Sequence, residues 1–164
     1  MPPEPAAGPV GPMAADFVLP GDAGPGSAQE FDVARFRDVL GHFGTGVTVI
    51  TGMAKDVPVG FTAQSFTSVS LDPALVAVCP ARSSVSWPVI RHGGTFCANV
   101  LAEDQESLGR VFATRGADKF KGVPWKPSPA TASPILDGVL AWVDCRIVAE
   151  HDGGDHVIAV ARVV

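Results

Sequence analysis

Between Gly44 and Trp87 the chain strings together three short runs of β-type composition, VTVIT, SFTSVSL and LVAVC, each closed by turn-forming residues. Val, Ile, Thr and Phe at that density suit a pleated, half-buried surface. Turn-forming residues separate the runs, and strands joined by short turns pair antiparallel. The same stretch is dense in small hydroxyl residues: Thr62, Ser65, Thr67, Ser68, Ser70, Ser83, Ser84 and Ser86. A sheet edge lined with hydroxyls and backbone N–H groups is a natural cradle for a phosphate-bearing ligand.

The rest of the chain is placed around this stretch. Before it, Phe36, Val39, Leu40 and Phe43 recur at helical spacing among charged residues. Ser27 with Glu30 forms a capping box for that helix, Asp32 is an equally good cap, and Gly44 is the stop. Lys55-Asp56 predicts a hairpin tip. Residues 61–71 read as one partly alternating strand, and 75–79 as a continuously apolar buried strand that Pro80 ends. Residues 85–91 read as a short helix capped by Ser83 or Ser84 and ended by Gly93-Gly94. Further strands are predicted over 95–100, 136–149 and 156–164, and a helix over 103–114 with Leu108, Val111 and Phe112 facing inward. Segment 116–132 reads as loop. Strands outnumber helices, and there is neither βαβ alternation nor an internal repeat. A mainly β fold follows, an antiparallel barrel with a few peripheral helices.

Residues 1–28 are rich in Pro, Gly and Ala, with Pro2, Pro3, Pro5, Pro9, Pro12 and Pro20 among them. Such a segment buries too little apolar surface to offset its ordering entropy and is expected to be a disordered leader. Residues 29–164 then make one domain. The final run, VIAVARVV, has no terminator, so the reading is of a barrel that lacks a closing strand, as in a truncated gene product.

Bulk composition narrows the function. With 46% hydrophobic and 18% charged residues the chain is globular. A net charge of −5 argues against a nucleic-acid partner, which calls for a basic face, but leaves room for a small anion held by one Arg and backbone amides. Cys79, Cys97 and Cys145 are far apart, odd in number and set in apolar runs without a CxxC. They read as buried free thiols of a reducing compartment, with neither a zinc site nor a redox pair, so no metal is expected. No apolar run approaches the roughly 20 residues of a membrane span, and MPPEPAAGPV lacks the basic and apolar regions of a signal peptide. The expectation is a cytoplasmic protein without membrane or nucleic-acid partners.

GxGxxG, the P-loop GxxxxGKS/T, HExxH and GxSxG are absent, which disfavours a Rossmann cofactor site, a P-loop and a serine hydrolase. Ala81-Arg82-Ser83-Ser84-Val85-Ser86 follows a buried strand and opens a helix. Amides, hydroxyls and one Arg there make an anion site, although on pattern alone a plain cap at Ser83 or Ser84 is the commoner outcome. After Gly60, the small residues of Phe61-Thr62-Ala63-Gln64-Ser65 would let a planar ring lie on the backbone; a β-bulge or strand edge reads the same way. His156, after Gly153-Gly154-Asp155, either contacts a nicotinamide cofactor or substrate at a barrel mouth or is a polar turn residue. His42, His92 and His151 read as solvated. Asp144 is alone in an apolar strand, and no carboxylate pair is spaced for acid–base work.

Together these segments resemble the flavin reductase-like domains built on an FMN-binding split barrel. More narrowly, they resemble the reductase components of two-component flavin-dependent monooxygenases. The carrying motifs are FGTGVTV at 43–49, TAQSFTSVSLDP at 62–73, Arg82-Ser83-Ser84, FCANVL at 96–101, Asp118-Lys119-Phe120 and Gly154-Asp155-His156, in the family's order. The resemblance implies a homodimeric barrel of Greek-key type that binds FMN or FAD and oxidises NADH or NADPH. It implies cofactor contacts from Thr45 and Gly46, and an isoalloxazine edge lined by Thr62, Ala63, Gln64 and Ser65, with Gln64 in place of the family's usual Asn. Ser68 and Ser70 lie nearby. Cys79, Pro80, Arg82, Ser83, Ser84 and Ser86 form the phosphate loop. Phe96 and Asn99 sit beneath the flavin, and His156 positions the nicotinamide. The family's terminal aromatic, Gly-rich strand has no counterpart here.

The expected function is an NAD(P)H:flavin oxidoreductase that hands reduced flavin to a separate oxygenase. Hydride passes directly between the two rings, so no catalytic acid or base is required. The alternative is a non-catalytic flavin-binding or electron-carrier barrel, or a bare dimerisation scaffold.

Overall fold

The computed structural model of the protein describes residues 32–164. The expectations for residues 1–28, including the Ser27–Glu30 capping box, lie outside the described residues. Helix α1 (Val33–Gly41) is described by itself. Asp32 caps it: one carboxylate oxygen accepts from the Ala34 and Arg35 amides at 2.9 and 3.0 Å. The helix ends at Gly41, short of the predicted stop at Gly44, and none of its residues is buried.

Residues 44–164 form a compact unit. Its main sheet is built from β1 (Thr48–Ala54), β2 (Val57–Ala63), β3 (Thr67–Leu71), β4 (Ala74–Val78), β5 (Thr95–Val100), β8 (Ala141–Gly153) and β9 (His156–Val163). A two-stranded ribbon joins β6 (Trp125–Pro127) to β7 (Pro134–Leu136), and the helices are α2 (Trp87–Gly93) and α3 (Glu106–Ala113). Among the described residues the sheet is antiparallel, with seven strands in the order β2-β1-β5-β8-β9-β4-β3.

That order dictates a closed shape. β2 and β3 are the two edges, yet only residues 64–66 separate them in the chain. In a flat seven-stranded sheet the edges would stand roughly 29 Å apart. Four Cα-to-Cα steps reach at most about 15 Å. The sheet therefore curls into a barrel, split between β2 and β3, with residues 64–66 crossing the split. The predicted antiparallel barrel is what the chain forms.

Local chemistry explains the turns and the core. Lys55 takes a left-handed φ of 55° and turns β1 into β2 at the predicted tip, with pairing from Ala54↔Val57 to Thr48↔Ala63. Strand alternation divides side chains between two faces. Ile50, Val78, Phe96, Cys145 and Ala159 pack with Trp87 and Ile90 in one cluster. Val49, Leu101, Phe112 and Leu136 form a second on the opposite face, where α3 and β7 cover the sheet.

Three elements differ from the sequence reading. Residues 61–71 are two strands, because they serve opposite edges of the sheet. The strand predicted from residue 136 begins at Ala141; Pro134–Leu136 pairs instead with Trp125–Pro127 inside the predicted loop. Pro127 and Pro134 face each other at the end of that short ribbon, where a missing N–H costs little. In α3, Gly109 and Phe112 are buried, while the predicted core residue Val111 is exposed.

Candidate functional site

Ser65 stands in the crossing between β2 and β3. Its hydroxyl accepts from the Cys79 amide at 2.9 Å, which pins the crossing to the end of β4. Beyond Cys79, the Pro80 carbonyl accepts from the Val157 amide at 3.0 Å, and the Arg82 amide donates to the Asp155 carbonyl at 2.9 Å. Ala81 is bridged to His156 between these bonds. The fold thus gathers residues 62–66, 79–86 and 154–157 at one place. Thr45 and Gly46 enter nearby as exposed loop residues, since Thr48 Oγ1 donates to the Ala63 carbonyl at 2.9 Å.

The donors in this cluster fall into two groups. Some are spent within the protein. Thr62 Oγ1 donates to the Gly109 carbonyl at 2.6 Å, and Ser86 Oγ to the Gly60 carbonyl at 2.8 Å. Ser84 Oγ accepts from the amide of Trp87, the first residue of α2, at 3.2 Å. The N-cap position itself falls at Ser86 and not at the expected Ser83 or Ser84, because the helix starts two residues later than the sequence reading placed it. Others have no partner among the described residues: the hydroxyls of Ser68, Ser70 and Ser83, the Gln64 side-chain amide, and the backbone N–H groups of Ser83 and Val85.

Several residues implied as cofactor contacts turn inward instead. Pro80 and Ser86 are buried, and Ala63 belongs to the core. Phe96 and Asn99 are fully enclosed. They lie three positions apart on β5, so they project from opposite faces of the sheet. Phe96 packs in the cluster around Trp87. The Asn99 amide donates to the Val49 and Pro134 carbonyls and to Thr51 Oγ1 at 3.1, 3.2 and 3.0 Å, and its oxygen accepts from the Leu136 amide at 2.9 Å. Neither presents a surface to a ligand; Asn99 instead fastens β7 to the barrel.

Arg82 is exposed but engaged. Its Nε donates to the Gly154 carbonyl at 2.8 Å and its Nη2 to the Asp152 carboxylate. That hydrogen bond and the guanidinium charge hold the Asp152 carboxyl below its ordinary range. His156 Nδ1 lies 2.7 Å from Asp155 Oδ1, which orients the ring.

Two residues at the cluster escaped the sequence reading. Lys119 Nζ donates to the Gly60 carbonyl at 3.0 Å, and burial lowers its pKa. Its Asp118-Lys119-Phe120 motif was visible, but no spacing rule ties it to Gly60. Asp152 carries no local signal beyond an acid before a Gly-Gly turn. An open cleft of about 390 Å³ lined by Trp125, Lys126, Asp137 and Trp142 shares no residue with the cluster.

An antiparallel barrel split between consecutive strands, with hydroxyls, amides and a histidine turn gathered at the split, is the architecture of the split-barrel flavin proteins. The chain belongs to the flavin reductase like domain family, whose model matches residues 40–164. It is 52% identical over 137 residues to the reductase subunit HsaB of a flavin-dependent monooxygenase from Rhodococcus jostii, covering 84% of this chain and 70% of that one. Among solved structures it resembles nitrilotriacetate monooxygenase component B from Mycobacterium thermoresistibile, with a TM-score of 0.77 and 48% identity, covering 80% of this chain and 73% of that one. It also resembles the NADH:FAD oxidoreductase SgcE6 of Streptomyces globisporus, solved with NAD and FAD fragments, with a TM-score of 0.77 and 38% identity over 81% of this chain and 80% of that one.

Proposed function

We propose that this protein is an NAD(P)H:flavin oxidoreductase that supplies reduced FMN or FAD to a separate flavin-dependent oxygenase. The observation that carries the reading is the convergence of residues 62–66, 79–86 and 154–157 at the barrel split, with a set of donors that have no partner among the described residues. The chemistry of that donor set fits a flavin. The ring edge offers carbonyl oxygens and the tail a phosphate, and both are met by neutral N–H and O–H groups. Gln64, Ser68 and Ser70 serve the ring side, and Ser83 with the Ser83 and Val85 amides serves the phosphate. His156, on the turn beside Ala81, receives the nicotinamide.

When both are bound, the nicotinamide gives a hydride to flavin N5, which yields NAD(P)⁺ and reduced flavin. The protein's part is orientation. Ser65 holds the ring-side segment against Cys79, and the backbone bonds at Pro80 and Arg82 fix its distance from His156. Neutral donors bind a flavin loosely enough for release to a second protein, as the naming of relatives as a reductase subunit or reductase component of a monooxygenase supports. The barrel is proposed to work as a homodimer. Edge strand β3 exposes Val69 and Leu71 at 52% and 91%, an apolar pair that a second copy can cover. Among the described residues no helix is long and apolar enough to cross a membrane, and a cytoplasmic location is part of the proposal.

The test is NADH and NADPH oxidation followed at 340 nm with and without added FMN or FAD. A flavin-dependent rate is expected. Its absence with all four combinations overturns the reading.

A further inference from the structure

The phosphate role that the resemblance assigns to Arg82 conflicts with where its side chain goes. Both guanidinium bonds reach the β8–β9 hairpin, one to the Gly154 carbonyl at 2.8 Å and one to the Asp152 carboxylate. Two backbone bonds run beside them, Arg82 N to Asp155 O at 2.9 Å and Val157 N to Pro80 O at 3.0 Å. His156 lies inside this span, bridged to Ala81. The turn itself contains Gly153 and Gly154, the latter at a φ of 72°, so its own backbone restrains it little. A planar guanidinium holds two acceptors in a fixed fork, whereas a lysine ammonium is a point charge with freely rotating donors.

We propose that Arg82 and Asp152 are positioning residues: they lock the 152–156 turn, and with it His156, in the pose that receives the nicotinamide, and Arg82 does not serve as the flavin phosphate ligand. The proposal rests on the reading of the protein as an NAD(P)H:flavin oxidoreductase. The pair is exposed, with side chains 51% and 82% accessible, so it adds little to folding stability. Its effect falls instead on pose, where small displacements of a reacting partner are costly. The two roles for Arg82 make opposite predictions about Asp152. If Arg82 held the phosphate, Asp152 would compete with that anion for the guanidinium, and removing its charge would tighten flavin binding. If Arg82 and Asp152 act as a latch, removing either charge loosens the same turn and leaves flavin binding alone.

The experiment compares the full chain with Arg82→Gln, Asp152→Asn, the double variant and Asp152→Glu. Flavin Kd is read from FMN and FAD fluorescence, KM and kcat from NADH oxidation, and turn mobility from amide hydrogen exchange. The latch predicts that either single change raises the KM for NADH about five-fold while flavin Kd stays within about two-fold. It predicts that the double variant is no worse than either single one, that Asp152→Glu restores part of the loss, and that the residue-82 and Val157 amides, which donate to the Asp155 and Pro80 carbonyls, exchange faster in the charge-removing variants. A rise in flavin Kd for Arg82→Gln at unchanged KM, or tighter flavin binding by Asp152→Asn, overturns the proposal. If the unaltered chain oxidises NADH with flavin while Asp152→Asn changes neither KM nor exchange, the latch alone is wrong. If the unaltered chain shows no flavin-dependent oxidation at all, the functional reading fails and the latch with it.

Discussion

Lys119 and Ser86 donate to one acceptor, the carbonyl of Gly60, at 3.0 and 2.8 Å. The contact ties the loop after α3 and the start of α2 to edge strand β2, whose next residues lead into the barrel split. One acceptor serving two donors has a measurable signature. Loss of either donor leaves the carbonyl bonded, whereas loss of both strands it.

Ser86→Ala and Lys119→Met should therefore each lower the unfolding free energy by about 1 kcal/mol or less. The double variant should lose about 1–3 kcal/mol beyond their sum, because a buried carbonyl is left without a donor. Urea unfolding of the four proteins measures this coupling. Strict additivity would falsify the shared acceptor.

The three thiols should separate by reactivity and by pH. Burial, with the nearby Asp144 charge adding, pushes Cys97 and Cys145 from 9.0 up to about 12. The unfolded chain gives up these protons first, so their contribution to stability is whole below pH 9 and is lost as pH rises from 9 toward 12. A Cys97→Ala/Cys145→Ala variant should show a flatter alkaline limb in thermal melts. With a thiol reagent at pH 8, the partly exposed Cys79 should react in the native protein and the two buried thiols only on unfolding. Three equal rates in native buffer would contradict the packing.

Asn99→Ala should destabilise the protein by about 2–4 kcal/mol, because it orphans the buried Leu136 amide and removes a donor from the Val49 carbonyl and Thr51 Oγ1, while the Pro134 carbonyl keeps its bond from Thr51 Oγ1. The folded fraction should keep its flavin affinity, since Asn99 has no exposed surface. A titration of refolded variant with FMN and FAD at low temperature checks both halves. A large rise in Kd at unchanged stability would return Asn99 to the ligand site.

Gly60 and Gly46 should respond differently to alanine. A Cβ on Gly60 would stand 2.9 Å from both the Ile50 carbonyl and the Phe112 ring, whereas one on Gly46 meets nothing within 4 Å. Gly60→Ala should cost about 1–3 kcal/mol and Gly46→Ala under about 0.5. Paired thermal melts decide it; equal melting points would mean that β2 moves freely against α3.

The residues that escaped sequence reading share a physical cause. VTVIT, LVAVC and TFCANV were readable as strands because their β-branched and apolar runs are local signals, and the Lys55-Asp56 tip was readable because a tight turn needs particular residues. Trp125–Pro127 was not, since two prolines mark a loop in every local rule and only the partner at Pro134–Leu136 makes it a strand. Asn99 shows the same limit at the site. Its place in FCANVL suggests a surface contact, but the alternation of β5 against Val49 and Leu136 turns it inward. Ser84 and Ser83 are neighbours of one chemical type, and only the point where α2 starts decides that one hydroxyl receives the Trp87 amide while the other has no partner among the described residues.

The strand order also governs when the barrel can be completed. β9 is the strand that connects β8 to β4, and it is made roughly 80 residues after β4. On a growing chain β2, β1, β5 and β8 can add to one another in turn. The hairpin of β3 and β4 has to wait, with Val76 and Val78 uncovered and one strand edge open, which is the kind of surface that chaperones bind and aggregates grow from. β9 acts as the keystone between β8 and β4. Lesions that delay its docking, such as a bulky replacement at the fully buried Ala159 or Ala161, should lower the yield of soluble protein from cells more than they lower the melting point of what is recovered.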